Sequence, residues 1–262
     1  MSLIARDIHL RLGRTDILHG VDLTAPVGRV TAIIGPNGSG KTSLLRALAG
    51  EIVPVSGRIA LNGLPIVGMR PEVLAGHRAV LPQQSAISFP FTAAEIVRIG
   101  LTSVAGDQIR QGALIGEALA AVGLPGHAGR LYQELSGGEQ QRVQLARALV
   151  QVWQPVVDGA PRWLLLDEPV SSLDIAHQIA VMRLAADYAR RGGGVVAVMH
   201  DLNLTGMFAD HVLLMRGGRA MAEGAPAEVL DSALLSDAYG CRLRVGEVPR
   251  AGVWLLPHSA TL

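Results

Sequence analysis

The chain predicts an α/β fold: a mostly parallel, doubly wound sheet with an antiparallel β flank and a helical insertion. Short apolar runs without polar alternation, at Val30–Ile34, Trp163–Leu166, Val195–Met199 and Val212–Met215, read as strands buried on both faces. Segments with helical spacing lie between them, so strands and helices alternate. The early segments 3–12, 20–25 and 57–61 read as short strands separated by turns, with Asn62-Gly63 a strong turn signal, and they supply the flank.

Taken in order, the strand at 30–34 leads into a helix over 41–49, which Gly50 stops. Leu114, Ile115, Ala118, Leu119 and Val122 place a helix over 113–123, and another runs from about Gly138 to Val150. These belong to the insertion, about 90–150. The strand at 163–166 is followed by a helix over 175–190, then by the strands at 195–199 and 212–215. Residues 1–240 form one domain on this reading, with 241–262 a C-terminal extension packed on the core.

With 262 residues, 49% of them apolar and only 3% aromatic, the chain can bury a large core made mostly of aliphatic side chains. A formal net charge of +1 gives no global attraction to nucleic acid, and no nucleic-acid partner is expected. The single cysteine, Cys241, excludes a disulfide within the chain and is read, like the methionines, as packing. The opening residues are interrupted by Arg6 and Asp7 before any signal-like apolar run, and no run of eighteen apolar residues predicts a membrane span. Of the 23 basic residues, only Lys41 is a lysine. A compact ammonium on a thin stem enters a tight loop that excludes a planar guanidinium.

That lysine lies in Gly35-Pro36-Asn37-Gly38-Ser39-Gly40-Lys41-Thr42, a match to G-x-x-x-x-G-K-[ST] between a buried strand and a helix. Gly35, Gly38 and Gly40 free the backbone to turn its N–H groups onto phosphate oxygens, and the helix start adds a positive dipole end. The motif predicts ATP as ligand, with Lys41 on the β- and γ-phosphates and the Thr42 hydroxyl on Mg²⁺. In Leu164–Pro169, LLLDEP, a buried strand delivers Asp167 at its carboxyl end to hold Mg²⁺, with Glu168 placed to polarise an attacking water.

A second anion-ready helix start, Ser136-Gly137-Gly138 in LSGGEQQR, gives the chain two phosphate readers. LSGGEQQR resembles the signature motif of the ABC ATPase family. The phosphate loop, LLLDEP, Ser172-Leu173-Asp174 and His200 stand in that family's order and spacing, over roughly 3–240. The resemblance implies a P-loop NTPase core, ATP hydrolysis, and a head-to-tail dimer with a second copy of the chain. In that dimer Ser136, Gly137 and Gly138 contact the γ-phosphate in trans. It implies that Gln83, with Gln84 the alternative, senses Mg²⁺ and the water; that His200 holds the γ-phosphate and orients Glu168; and that Asp174 contacts the opposite phosphate loop. In one place the chain departs from the pattern: HLRLGRTD lacks the usual adenine-stacking aromatic, leaving Leu12, or Arg11 or Arg14, for the base.

A single cassette resembles the ATP-binding subunit of a multi-subunit transporter. DIAHQ, Asp174–Gln178, and His200–Gly224 resemble ATPases of iron-siderophore, haem and cobalamin importers. FPFTAAEIV, Phe89–Val97, and the spacer Gln151–Trp163 resemble the haem group in particular. The implied partners are an integral membrane permease dimer and, indirectly, a periplasmic haem-binding protein, at the cytoplasmic face of a bacterial inner membrane. Ferric siderophore or cobalamin import is the alternative, and a soluble ABC ATPase the more distant one. The resemblance also places a permease-docking groove after Gln83, including Ile87, Phe89, Pro90 and Phe91. The competing reading is that the two phenylalanines pack the insertion onto the core.

Overall fold

A computed structural model of the chain describes residues 1–83, 87, 89–103, 108–248, 252–253 and 255–260. It opens with β1 (Ser2–Leu12) and β2 (Thr15–Pro26), then β3 (Val30–Ile34), α1 (Lys41–Leu48), β4 (Ser56–Leu61), β5 (Leu64–Pro65), α2 (Pro71–His77) and β6 (Arg78–Leu81). The insertion follows as α3 (Ala93–Ile99), α4 (Gln108–Ala121) and α5 (Gly137–Gln151). A short hairpin of β7 (Val156–Val157) and β8 (Ala160–Pro161) precedes β9 (Trp163–Asp167), α6 (Ile175–Arg190), β10 (Gly194–Val198) and α7 (Leu202–Phe208). The chain continues through β11 (His211–Arg216), β12 (Arg219–Gly224), α8 (Pro226–Val229) and α9 (Ser232–Tyr239).

A six-stranded sheet in the order β12-β11-β3-β10-β9-β6 forms the centre. It is parallel except for β12, which pairs antiparallel with β11 at the edge. A second, antiparallel sheet runs β2-β1-β4-β5. The missing polar alternation in β9 and β10 has a direct cause. Leu164, Leu166, Val195 and Ala197 pack into the core on the side of the insertion, while Trp163, Leu165, Val196 and Val198 pack into the core shared with the antiparallel sheet. Both faces are covered, as parallel strands require. Helix α1 contributes Leu44, Leu45 and Leu48 to the second core. The predicted antiparallel flank is therefore a layer closed over α1.

Register decides where the loops emerge. Val198 of β10 stands opposite Ile33 of β3 and opposite Asp167 of β9, and Leu214 of β11 opposite Ile34. The segments after β3, β9 and β10 thus leave the sheet side by side at its carboxyl edge, where open α/β sheets bind ligands. Met199, expected within a strand, lies just past β10, although its N–H still donates to the Ile33 carbonyl at 3.0 Å.

Several elements extend or correct the sequence reading. The helix expected over 113–123 is α4, beginning at Gln108 and ending at Ala121, and the flank strand expected over 20–25 begins at Thr15. The spacer forms the β7–β8 hairpin. Cys241 does not pack: its thiol is exposed, as is Met1. In the tail, Leu243 and Ala260 lie against the core.

Asn62, read as part of a turn, does more. It adopts φ +53°. Its side-chain amide donates to the Pro161 carbonyl at 2.8 Å and its Oδ1 accepts from Trp163 Nε1 at 3.1 Å. One side chain thus ties the flank to the spacer and to the start of β9. Trp163 is fully buried, and a Cβ on Gly194 would come within 2.4 Å of its ring. Trp163→Ala should lower unfolding free energy by about 3–5 kcal/mol. Asn62→Ala, which strands the indole N–H, should cost less, about 1–3 kcal/mol. Urea unfolding followed by circular dichroism checks both.

A candidate nucleotide-phosphate site at the sheet edge

The loop after β3 follows a path that only its glycines allow. Gly35 has φ +146°, and a Cβ there would sit 2.1 Å from the Met215 carbonyl oxygen of neighbouring β11. Gly40, the residue before α1, has φ +96°, and its Cβ would meet the Leu18 side chain at 2.7 Å. The loop is pressed against β2 and β11 on its inner side, so its outer side is the one left for a ligand.

Lys41 begins α1 and is buried, 6% exposed. Its Nζ donates to the Gly35 and Pro36 carbonyls at 2.8 and 3.0 Å. Burial pulls the Lys41 pKa below the usual lysine value, with the negative charges of Glu168 and Asp167 opposing the shift. Asp167, 3% exposed, is shifted the other way. Burial raises its pKa, against the hydrogen bond from Thr42, whose Oγ1 donates to Oδ1 at 3.1 Å. Both charges are thus held where their ionised forms lack full compensation. A phosphate beside Lys41 and a divalent cation beside Thr42 and Asp167 would relieve both. Ser39 gives a further sign of fit: its Oγ is buried in the loop without a hydrogen-bond partner among the described residues. No cluster of three His, Cys, Asp or Glu side chains suited to a metal occurs among the described residues. A cation here would rely on one carboxylate, one hydroxyl and the ligand's own oxygens, the usual manner of Mg²⁺.

Glu168 follows β9 in a left-handed conformation, φ +51°. Its Oε1 accepts from Gln83 Nε2 at 2.9 Å and lies 2.6 Å from His200 Nε2. Gln83 comes just after β6 and His200 just after β10, so three strand ends converge on one carboxylate. Oε2 is left without a partner among the described residues, available to a water.

A cleft of about 760 Å³ opens over these groups, lined by Ile17, Asn37–Ser43, Gln83, Glu168, Ser171 and His200. Ser136, Gly137, Gly138 and Asp174 are not among its lining. Ser136 instead caps α5 in a reciprocal pair with Glu139: its Oγ accepts from the Glu139 N–H at 3.3 Å, and Glu139 Oε2 accepts from the Ser136 N–H at 2.8 Å. Those bonds from Ser136 pull the Glu139 pKa down to about 2. Since the folded value is depressed, the contribution of this cap is complete above the ordinary glutamate range and is lost as pH falls toward about 2. A Cβ on Gly138 would meet the Ser172 carbonyl oxygen at 3.1 Å, whereas one on Gly137 would meet nothing within 4 Å. A side chain at 138 would thus crowd the chain's own Ser172, while Gly137 faces open surface. Asp174 caps α6, accepting from the His177 N–H at 2.9 Å and lying 2.8 Å from His177 Nδ1.

The sequence reading missed Ile17, which lines the cleft in β2, and Ser171. The alternation of apolar residues along β2 carried no sign that Ile17 faces a ligand. Leu12, Arg11 and Arg14 are not in the lining, and Arg11 is paired with Asp16 at 2.5 Å. Gln84 lies outside the described residues.

Comparison with known proteins gives the family and the fold. The model of the ABC transporter family matches residues 18–171. The hemin import ATP-binding protein HmuV of Jannaschia sp. strain CCS1 is 59% identical over 98% of this chain and 95% of its own length. The protein of the same name from Roseobacter denitrificans is 57% identical over 99% of both chains. Among solved structures, the ATP-binding subunit of an ABC transporter superposes with a TM-score of 0.77 at 20% identity, covering 92% of this chain and 97% of its own. A dimeric bacterial ABC transporter cassette gives 0.75 at 24% identity, covering 86% and 98%. The chain belongs to the ABC transporter family and is an ATP-binding cassette of it.

Because Lys41 is the sole lysine, an amine-reactive reagent should modify Lys41 and the N-terminal amine and no other amine. Saturating MgATP should protect Lys41 alone. Peptide mass spectrometry reads the outcome, and unchanged Lys41 labelling with MgATP would remove it from the phosphate site.

Proposed function

We propose that the chain is the ATP-hydrolysing subunit of a membrane importer for haem. The carrying observation is the convergence of Gln83, Glu168 and His200 beside the phosphate loop and Asp167. On this reading the N–H groups of Gly35–Gly40, with Lys41, hold the β- and γ-phosphates. Thr42 and Asp167, with Gln83, hold Mg²⁺, which when bound neutralises phosphate charge. His200 and Gln83 fix Glu168 through Oε1, leaving the carboxylate to take a proton from water. Ile17 supplies apolar contact for the base.

Two copies pair head to tail. The absence of Ser136, Gly137 and Gly138 from their own chain's cleft, and the open surface over Gly137, support their reading a γ-phosphate in trans, with Asp174 near the opposite loop. Residues 1–240 act as the cassette and 241–262 as its extension. No helix among the described residues is long and apolar enough to cross a membrane. On the reading drawn from the relatives named for hemin import, energy reaches the substrate through a permease dimer at the cytoplasmic face of an inner membrane. The haem assignment draws on the relatives named for hemin import, with a periplasmic haem-binding protein as indirect partner.

Glu168→Gln should keep ATP binding and lose most hydrolysis, and ATP should then shift the variant toward a dimer on size exclusion. Ser136→Arg and Lys41→Ala should each be inactive alone, and mixing them should restore one working site per heterodimer. No recovery on mixing would mean that both motifs serve the same subunit's nucleotide.

Phe89 and Phe91 are 70% and 38% exposed, their ring centroids 6.2 Å apart, so they do not fill a core site. An aromatic pair on the surface suits a docking helix. Phe89→Ala should leave melting temperature and basal ATPase unchanged while weakening permease assembly and abolishing stimulation by a haem-loaded binding protein in proteoliposomes. A complex that ignores haem but responds to a ferric siderophore or to cobalamin would overturn the haem assignment.

A further inference from the structure

Glu168 is one of four described non-glycine residues with positive φ, and it is the one that lines the cleft. Left-handed backbone at such a residue persists only where surrounding contacts over-determine it. Its N–H is engaged by the Val198 carbonyl at 3.2 Å, which continues the pairing with β10. Its carbonyl oxygen collects three donors. Two are local, the N–H and Oγ of Ser171 at 3.3 and 3.2 Å. The third is long-range and the shortest: Gln141 Nε2, on the first turns of α5, at 2.9 Å.

Helix α5 is well held. Arg142 donates to the Val122 and Gly123 carbonyls at 3.3 and 3.2 Å, and Arg147 to the Val80 carbonyl in β6 at 3.2 Å. The Ser136–Glu139 cap fixes its start, one turn before Gln141. A single side-chain amide therefore joins the helix that presents Ser136–Gly138 to the peptide that aims the Glu168 carboxylate.

We infer that Gln141 is a positioning residue for Glu168, linking the signature helix to the carboxylate of the same subunit. This rests on the reading of Glu168 as the base. A donor lost from this carbonyl lets the strained peptide relax, and the carboxylate leaves its line with the water while nucleotide contacts stay intact. Closure of Gly137 on a partner's nucleotide would in turn reach the home site through α5 and Gln141.

Gln141→Met keeps length and volume and removes the donor. In the homodimer it should lower kcat about tenfold, with KM for ATP and melting temperature unchanged. Gln141→Glu, which also lacks the donor, should do the same and serves as the second variant should the first not fold. A heterodimer isolates the direction. Where one subunit carries Lys41→Ala, the only working site uses the other subunit's phosphate loop and Glu168. Gln141→Met placed beside that Glu168 should slow hydrolysis, and placed in the Lys41→Ala subunit it should not. Parental kcat in the homodimer, an equal loss from either subunit, or a fall in melting temperature with the loss overturns the inference. Glu168→Gln measured alongside separates the two readings: if it hydrolyses like the parent, it is the role of Glu168 that fails.

Discussion

A buried ammonium without an anion of its own is the constraint on which the site depends. Lys41 is held by two carbonyl oxygens, and no carboxylate lies within ion-pair distance of it among the described residues. Such a cation is tolerable only in a cage that offers oxygen dipoles and awaits an anion. The cage in turn demands a loop with no side chain at Gly35, pressed on β11, and a strand β3 central enough to carry it. Burial of β3 on both faces, with the antiparallel sheet closed over α1, anchors the loop so that ligand binding need not order it first.

The parallel register supplies the rest. With Val198 beside both Ile33 and Asp167, three segments that are far apart in sequence finish at the same height on the sheet. Gln83, Glu168 and His200 then meet by strand geometry, with no loop having to reach across the cleft. Gln83 and His200 both engage Oε1, so the two oxygens of Glu168 differ: one has two partners, the other none among the described residues.

Much of this was legible from residues. Unbroken apolar runs at 30–34 and 163–166 marked strands buried on both sides, and glycine spacing with the lone lysine marked the phosphate loop. LLLDEP put Asp167 at a strand end with Glu168 just after it, and β9 does end at Asp167. What stayed hidden was whatever depends on tertiary partners. Asn62 looked like turn chemistry, yet its bonds reach Pro161 and Trp163, some hundred residues on. Ile17 and Gln141 are unremarked residues in regular elements, and their significance comes from what those elements face. Phe89 and Phe91 could be read as core or interface by type alone, and only their exposure separates the two. Cys241, apolar enough to suggest packing, lies just past Gly240, where α9 ends in a left-handed turn and the chain turns outward.

The near-absence of lysine has a consequence beyond catalysis. In most proteins amine chemistry scatters over a dozen surface sites and averages out. Here the surface presents guanidinium groups, which acylating and crosslinking agents leave untouched, and the one lysine side chain lines the cleft beside α1. Coupling this chain to a solid support through amines therefore attaches it by its N-terminus in a single orientation, provided nucleotide fills the cleft. By the same logic, an acyl group found on a lysine of this protein marks a molecule whose cleft was empty when it reacted.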